Sequence, residues 1–396
     1  MAQQAVMSPG FSLGRLWNDK EARSVIVQIL TMVLLVAFLA YIVSNAIANL
    51  EAIGKTFSFD FLFQPASYDI NQHLIPYTSR STHLRAAVVG LLNTLLVAVC
   101  GIVLATVLGF LLGVLRLSTN WLVNRMAYGF IEFTRNVPVL LHILLIHGII
   151  VTSLPVPKQA LDVGGTFFFS NRGFFVPSPQ FEPFFWAVVI AFFVALVFAF
   201  GFKRYAHKLQ DETGKHLPVF WVNFGAIVGL PVIVYFLSGM PLTWQIPELR
   251  GFNYQGGMVL RPEFLALWLA LSYYTSSFIA EIVRAGILSV SYGQTEAAYA
   301  LGLRPNRTLS LIIIPQALRV IVPPLASQYM NLTKNSSLAI AIGYMDLVAT
   351  IGGISLMQTG KEMETMIIVL LTYLALSLSI SAFMNWYNQR IKLVER

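Results

Sequence analysis

Long uncharged apolar runs alternate with short polar connectors along most of the chain. A helix needs ~20 mainly apolar residues to cross the hydrocarbon core of a bilayer. Runs of that order lie at Ser24–Leu50, Ala86–Leu115, Asn136–Pro157, Pro183–Phe202, Leu217–Pro247 and Thr365–Gln389. Phe264–Ala280 is slightly short, but Glu263 and Glu281 bound it and can sit near the interfaces. Between Thr308 and Met345 only Arg319 and Lys334 interrupt an apolar stretch, which reads as one further span with polar inserts. The pattern predicts an all-α polytopic membrane protein of about eight transmembrane helices.

Basic residues orient the spans. With the N-terminus inside, the inner segments hold Arg15, Lys20 and Arg23, then Arg116, Arg125 and Arg135. Lys203, Arg204, Lys208 and Lys215 follow, then Arg284, Arg304, Arg307 and Arg319, and last Arg390, Lys392 and Arg396. That is 17 of the 26 basic residues. The outer segments hold the other nine, Lys334 among them. Such a bias places both termini in the cytoplasm. No small-residue cleavage site follows the first run, so it reads as a retained helix and not a signal peptide.

Composition agrees. The chain of 396 residues is 57% hydrophobic and 11% charged, against about 25% charged for soluble domains. The net charge of +8 is dispersed over loops and is no nucleic-acid signal. The single Cys100 lies in an apolar run, which excludes a disulfide framework and a cysteine metal site.

One connector is unlike the others. It reads Ser291-Tyr-Gly293-Gln294-Thr-Glu296-Ala297-Ala298-Tyr-Ala-Leu-Gly302-Leu-Arg-Pro305 and runs on to Ile312-Ile-Ile-Pro315. Ser291 and Gln294 have the spacing of a capping box, and Thr295 could cap one turn later. Glu296 near the helix start suits the macrodipole. Gly302 can take the left-handed position that ends a helix, and Pro305 prevents continuation. The segment predicts a short cytoplasmic helix of two to three turns, with small Ala297, Ala298 and Ala300 letting a partner approach closely.

Glu-Ala-Ala, three residues, Gly, nine residues and then Ile-x-apolar-Pro resembles the EAA loop of bacterial ABC importer permeases. Ile314 stands where Leu is usual. Four further segments resemble the permeases for polar amino acids. Gly90-Leu-Leu-Asn-Thr94-Leu opens the first core helix. Phe133-Thr-Arg135-Asn136-Val137-Pro138-Val-Leu-Leu141 is similar to Phe-Arg-Gly-Thr-Pro-Leu-Leu, with an extra Thr and with Asn136-Val137 replacing Gly-Thr. Ala280-Glu281-Ile-Val-Arg284-Ala-Gly286 leads into the loop. Pro315-Gln316-Ala317-Leu-Arg319 through Leu332-Thr-Lys334-Asn335-Ser336-Ser337-Leu338 follows it.

The resemblance implies a type I ABC importer permease core in two parts, 86–152 and 263–396. Residues 1–85 add an N-terminal helix and a periplasmic segment, and 153–262 insert two extra spans. That build resembles the longer, Q-type subunit of the general L-amino acid permeases. The family then implies uptake of many L-amino acids, with glutamate, glutamine and aspartate typical. It implies a bacterial inner-membrane location, a second homologous permease, two cytoplasmic ABC ATPases and a periplasmic amino acid-binding protein. It also implies ATPase coupling through Gly293, Gln294, Glu296, Ala297, Ala298, Gly302 and Pro315.

Other residues carry less. Gly54-Lys55-Thr56 looks like the end of a phosphate loop, but the required glycine five residues before Gly54 is Asn49. ATP must then bind elsewhere, and the chain reads as a transporter subunit with no catalytic residue, cofactor or metal of its own. His142 and His147 are five apart, where ligands on one helix face need three or four. Glu281 and Arg284 have pair spacing. Phe167–Phe169, Phe174, Phe175 and Trp186 read as an outer aromatic belt. Lys334 is a charge inside a span, and such charges face an interior or an aqueous cavity. With Asn331, Asn335, Ser336 and Ser337 it forms a polar belt, a candidate substrate pathway.

Two rivals stand against this reading. An ion-coupled secondary amino acid transporter would favour inverted repeats and buried mid-helix acids, whereas the acids here cluster at span ends. A membrane enzyme would need a convergent set of His, Asp or Glu.

Overall fold

The computed structural model describes residues 20–52 and 54–391. Arg15, Lys392 and Arg396, which entered the charge count, lie outside the described residues. The long helices are α1 (Lys20–Ala52), α2 (His83–Leu115), α3 (Trp121–Asn136) and α4 (Val139–Ser153). There follow α5 (Phe185–Thr213), α6 (Val219–Leu237) and α7 (Pro262–Leu288). The chain ends with short α8 (Tyr292–Ala300), then α9 (Pro305–Ile342) and α10 (Glu362–Ile391).

Seven of these are long and apolar enough to cross a membrane, or eight if α3 and α4 together form one span. The expected single span over Asn136–Pro157 does not form. Its helix, α4, has 15 residues, about 22 Å at 1.5 Å per residue, too short to cross alone. Pro138 is the cause. It forces Val137 into extended backbone (φ −106°, ψ 133°), and α3 and α4 meet at a 106° bend. Asn120 starts α3 by accepting the Leu122 and Val123 N–H groups at 3.0 and 3.3 Å. Thr82 starts α2 by accepting the Arg85 N–H at 3.3 Å.

The core is built around α7, which packs against α2, α3, α4 and α9. Lipid tails are as apolar as leucine, so close backbone approach and dispersion must hold such helices together. Glycines on α2 permit that approach. A β-carbon at Gly109 would stand 2.5 Å from Ile279 Cβ, and one at Gly113 would stand 2.8 Å from Val283 Cβ.

The stretch 153–262 departs from expectation. It carries two apolar helices, as its hydropathy predicts, but also eight short strands. β1 (Leu161–Val163), β2 (Phe167–Ser170), β3 (Gly173–Val176) and β8 (Met258–Leu260) form one antiparallel sheet. β4 (Ser178–Phe181) pairs with β5 (Leu242–Gln245), and β6 (Glu248–Arg250) with β7 (Asn253–Gln255). The phenylalanines read as an interface belt are partly the core of this unit. Phe175 is fully buried, Phe168 stacks on Tyr254, and Phe169 meets Phe174 edge-on. Trp186, by contrast, is exposed. Between the strands, α5 and α6 pack on each other, and Ala191, Ala195 and Ala199 of α5 are buried.

Residues 54–82 cover the same end of the bundle as the strands. Arg261 Nε donates to Asn71 O at 3.0 Å across them. Ile70 and Tyr77 pack on Ala86 and Val89 of α2. Burial raises the Tyr77 phenol above its ordinary range, so it remains a neutral donor to Tyr68 O at 3.0 Å. No residue of α1 is buried. Its C-terminal end is clasped to α10: Lys55 Nζ pairs with Glu362 at 2.7 Å, and the Ser58 N–H donates to buried Glu364 at 2.8 Å.

Gly109→Leu tests the close approach. Overpacking of this kind costs about 1–3 kcal/mol, so detergent-extracted protein is expected to melt several degrees lower or to be lost from the membrane. Gly148→Ala, at a helical glycine with no neighbouring atom among the described residues within 4 Å, is expected to melt as the parent does. Equal melting of the two variants would contradict this packing.

Candidate functional site

The connector helix α8 stands at the end of α7 opposite the strands. Its C-terminus is as the sequence predicts. Gly302 has φ +75°. Its N–H donates to Tyr299 O at 2.9 Å, and the Leu303 N–H reaches back to Ala298 O at 3.0 Å. This paired closure satisfies carbonyls that a helix end leaves open. Among the described residues no neighbouring atom lies within 4 Å of a β-carbon built at Gly302, so the requirement for glycine there is one of backbone conformation.

The N-terminus differs from expectation. Ser291 precedes the helix, but its side chain caps nothing. Gln294 donates its backbone N–H to Ser291 O at 3.0 Å. Its side-chain oxygen instead accepts from Gln316 Nε2 at 3.3 Å. That contact ties the start of α8 to α9 just after Pro315.

The three residues Glu296-Ala297-Ala298 divide between two faces. Glu296 and Ala297 are exposed, whereas Ala298 is buried against the chain itself. Ala298 is small where α8 lies on the first turns of α9. Gly293, Tyr292, Tyr299 and Leu301 are exposed, Leu301 at 81%. Pro315 has no N–H to give to the helix. A wide turn at Leu309–Ile313 precedes it, with the Ile314 N–H donating to Leu309 O.

Behind α8, Glu281 joins two helices. It faces Arg284 at 3.4 Å on its own helix and Arg116 at 4.0 Å from the end of α2. Arg116 also donates to Asn124 Oδ1 of α3 at 2.9 Å and lies 4.5 Å above the Tyr128 ring. The predicted Glu281–Arg284 pair thus forms within a larger cluster.

The polar belt on α9 is not one surface. The α-helical part ends at Asn335, and Ser336–Ile342 tighten into a 3₁₀ turn. Lys334 and Ser337 line a cavity of about 490 Å³ with Val348, Val369, Tyr373 and Ser377. Asn331 and Asn335 line a different one of about 260 Å³ with Tyr274, Thr275, Phe278 and Gln328. Ser336 is buried and donates to Thr333 O at 2.8 Å. Among the described residues Lys334 makes no ion pair.

One residue near the first cavity escaped the sequence reading. Asp346 lies just past a span end, where acids were expected, and is wholly buried there. It lies in the turn between α9 and α10, and its carboxylate accepts from Tyr373 Oη at 3.1 Å and the Ala349 N–H at 2.9 Å. The only sequence signal was a lone acid in an apolar stretch. His142 is a satisfied core side chain: Nδ1 meets Tyr273 Oη, and Nε2 lies 3.3 Å from Thr134 O. His147 does not join it. Among the described residues no three His, Cys, Asp or Glu converge as metal ligands.

The family model for the binding-protein-dependent transport system inner membrane component matches residues 213–393. Similarity to individual relatives extends further. The general L-amino acid transport system permease protein AapQ of Rhizobium johnstonii is 47% identical over 98% of this chain and 96% of its own length. The putative amino-acid ABC transporter permease protein YhdX of Escherichia coli is 48% identical over 94% and 95%. The glutamate/glutamine/aspartate/asparagine transport system permease protein BztB of Rhodobacter capsulatus is 46% identical over 98% of each. Among solved structures, an amino acid ABC transporter crystallised with histidines is 19% identical, with a TM-score of 0.46 over 78% of this chain and 95% of that one. The chain belongs to the family of binding-protein-dependent inner-membrane permeases, within the amino acid ABC importers.

Proposed function

We propose that this permease takes up a broad range of L-amino acids, including glutamate, glutamine and aspartate. Relatives named for general L-amino acid transport and for glutamate, glutamine, aspartate and asparagine transport support that range. The chain pairs with a second homologous permease in the bacterial inner membrane. Two cytoplasmic ABC ATPases and a periplasmic amino acid-binding protein complete the importer, and ATP is hydrolysed in the partner subunits. Both termini of this chain are cytoplasmic. The core comprises 86–152 and 263–396, and 1–85 and 153–262 are peripheral additions.

The observation that carries the reading is the shape of α8. It is a short helix pinned to its own chain by Ala298 and the Gln294–Gln316 contact. Glu296, Ala297, Tyr299 and Leu301 stay exposed. A helix held on one face and bare on the other can carry force from an ATPase into α7 and α9. Gly293, Gln294, Gly302 and Pro315 set its ends, and Glu281 braces α7 against α2 behind it.

Gly302→Asp tests this. A side chain in the left-handed region costs about 1 kcal/mol, which should leave membrane insertion intact. Co-purification of the ATPase and amino acid uptake should both be lost, with Gly302→Ala milder. Near-normal coupling in Gly302→Asp would remove α8 as the coupling element.

Lys334 serves the pathway, where its ammonium meets a substrate carboxylate. Lys334→Met keeps length and removes charge. Normal membrane levels, retained ATPase and uptake of L-glutamate reduced roughly tenfold, the scale of one charge-assisted hydrogen bond, are expected. Unchanged uptake across acidic and neutral amino acids would leave Lys334 a structural residue.

Cysteine labelling tests the orientation. A cysteine replacing Lys208 should react only from the cytoplasmic side, and one replacing Arg172 only from the periplasmic side. The reverse pattern would put α8 on the wrong side of the membrane for an ATPase.

A further inference from the structure

The turn after α9 is gripped from one side. Asn93 Nδ2 donates to Met345 O at 2.9 Å, and Tyr344 Oη donates to Asn93 O at 3.0 Å. The Leu347 N–H donates to Thr94 Oγ1 at 3.2 Å. Gly90 admits the turn so closely that a β-carbon there would stand 2.9 Å from Asp346 O. The backbone of Asp346 is thus fixed to α2. Its carboxylate reaches the other way, to Tyr373 on α10.

Tyr373 has two roles. Its ring lines the cavity shared with Lys334, and its hydroxyl lies between Asp346 Oδ2 at 3.1 Å and Ser336 Oγ at 3.4 Å. Ser336 is two residues from Lys334 in sequence, so the hydroxyl touches both the turn and the end of α9. A buried carboxylate with no cationic partner is costly in an apolar setting. A packed apolar residue could fill the same volume without that cost. What the carboxylate supplies is two directed acceptors, one oxygen for the Ala349 N–H that follows it and the other for the Tyr373 phenol.

We infer that Asp346 is a positioning residue for transport: through Tyr373 it sets the wall of the Lys334 cavity and so the affinity for the transported amino acid. Asp346 itself touches no substrate. The inference rests on the reading that the Lys334 cavity belongs to the pathway. Asp346→Asn keeps size and an acceptor but weakens the charge-assisted bond. Tyr373→Phe removes the donor and leaves the ring. If the two residues act as one unit, their effects do not add.

The test is equilibrium dialysis of labelled L-glutamate against the detergent-purified permease–ATPase complex without its binding protein, so that the dissociation constant reports the cavity. Membrane levels are measured in parallel. Each single variant is expected to raise Kd roughly threefold to tenfold, the scale of one hydrogen bond. The double variant should be no worse than the worse single one. Unchanged Kd in both singles, a loss of membrane level with normal Kd in what remains, or effects that multiply in the double variant would each overturn the inference. If Asp346→Asn fails to assemble, Tyr373→Phe decides by the same Kd criterion. Lys334→Met separates the two readings. A Kd altered there but not at Asp346 or Tyr373 overturns only the positioning role, whereas no change in any of the three overturns the cavity itself.

Discussion

The architecture depends on how closely α2 and α7 approach. In water, burial of apolar surface would drive the two helices together, but in lipid that drive is largely absent. Glycine at 109 and 113 removes the β-carbons that would meet Ile279 and Val283. Dispersion between the backbones then replaces the missing hydrophobic term. With α7 seated on α2, the other core helices find their places around it. Gly286 of α7 gives Ile321 of α9 the same room.

The functional elements follow from this placement. Because α7 runs from the strands to α8, a shift at α8 is borne by a helix that touches most of the core. Glu281 binds α7 to the end of α2 and, through Arg116, to α3. At the other end the turn that holds Asp346 is locked to α2 through Asn93 and Thr94. α2 is thus a common reference for the Glu281 end of α7 and for the turn after α9. The N-terminal helix and the α5–α6 hairpin stand apart from this frame. The first is clasped through Lys55, Ser58 and the acids of α10, and the second packs mainly on itself.

Hydropathy made the spans legible, and turn chemistry made the end of α8 legible at Gly302. The failures have local causes. Pro138 splits a run that hydropathy alone reads as continuous, since a moving average does not register a single bend. Phe168, Phe169, Phe174 and Phe175 carry the same aromatic signal in a small sheet as in an interfacial belt, and only pairing partners such as Leu260 and Tyr254 distinguish the two. The Ser291–Gln294 spacing permits a capping box, but Gln316 competes for the glutamine side chain. The polar belt at 331–337 divides because an α-helix turns 100° per residue, so neighbours in sequence face different cavities. Asp346 depends on partners at 93, 94 and 373, which no local pattern reveals.

In the proposed importer the bare face of α8 meets the ATPase. A photo-reactive phenylalanine analogue placed at Tyr299 measures this directly in the assembled importer. A cross-link to the ATPase is expected from Tyr299 and none from the same probe at Tyr205, near the polar end of α5. No cross-link from Tyr299, or equal yields from the two positions, would contradict it.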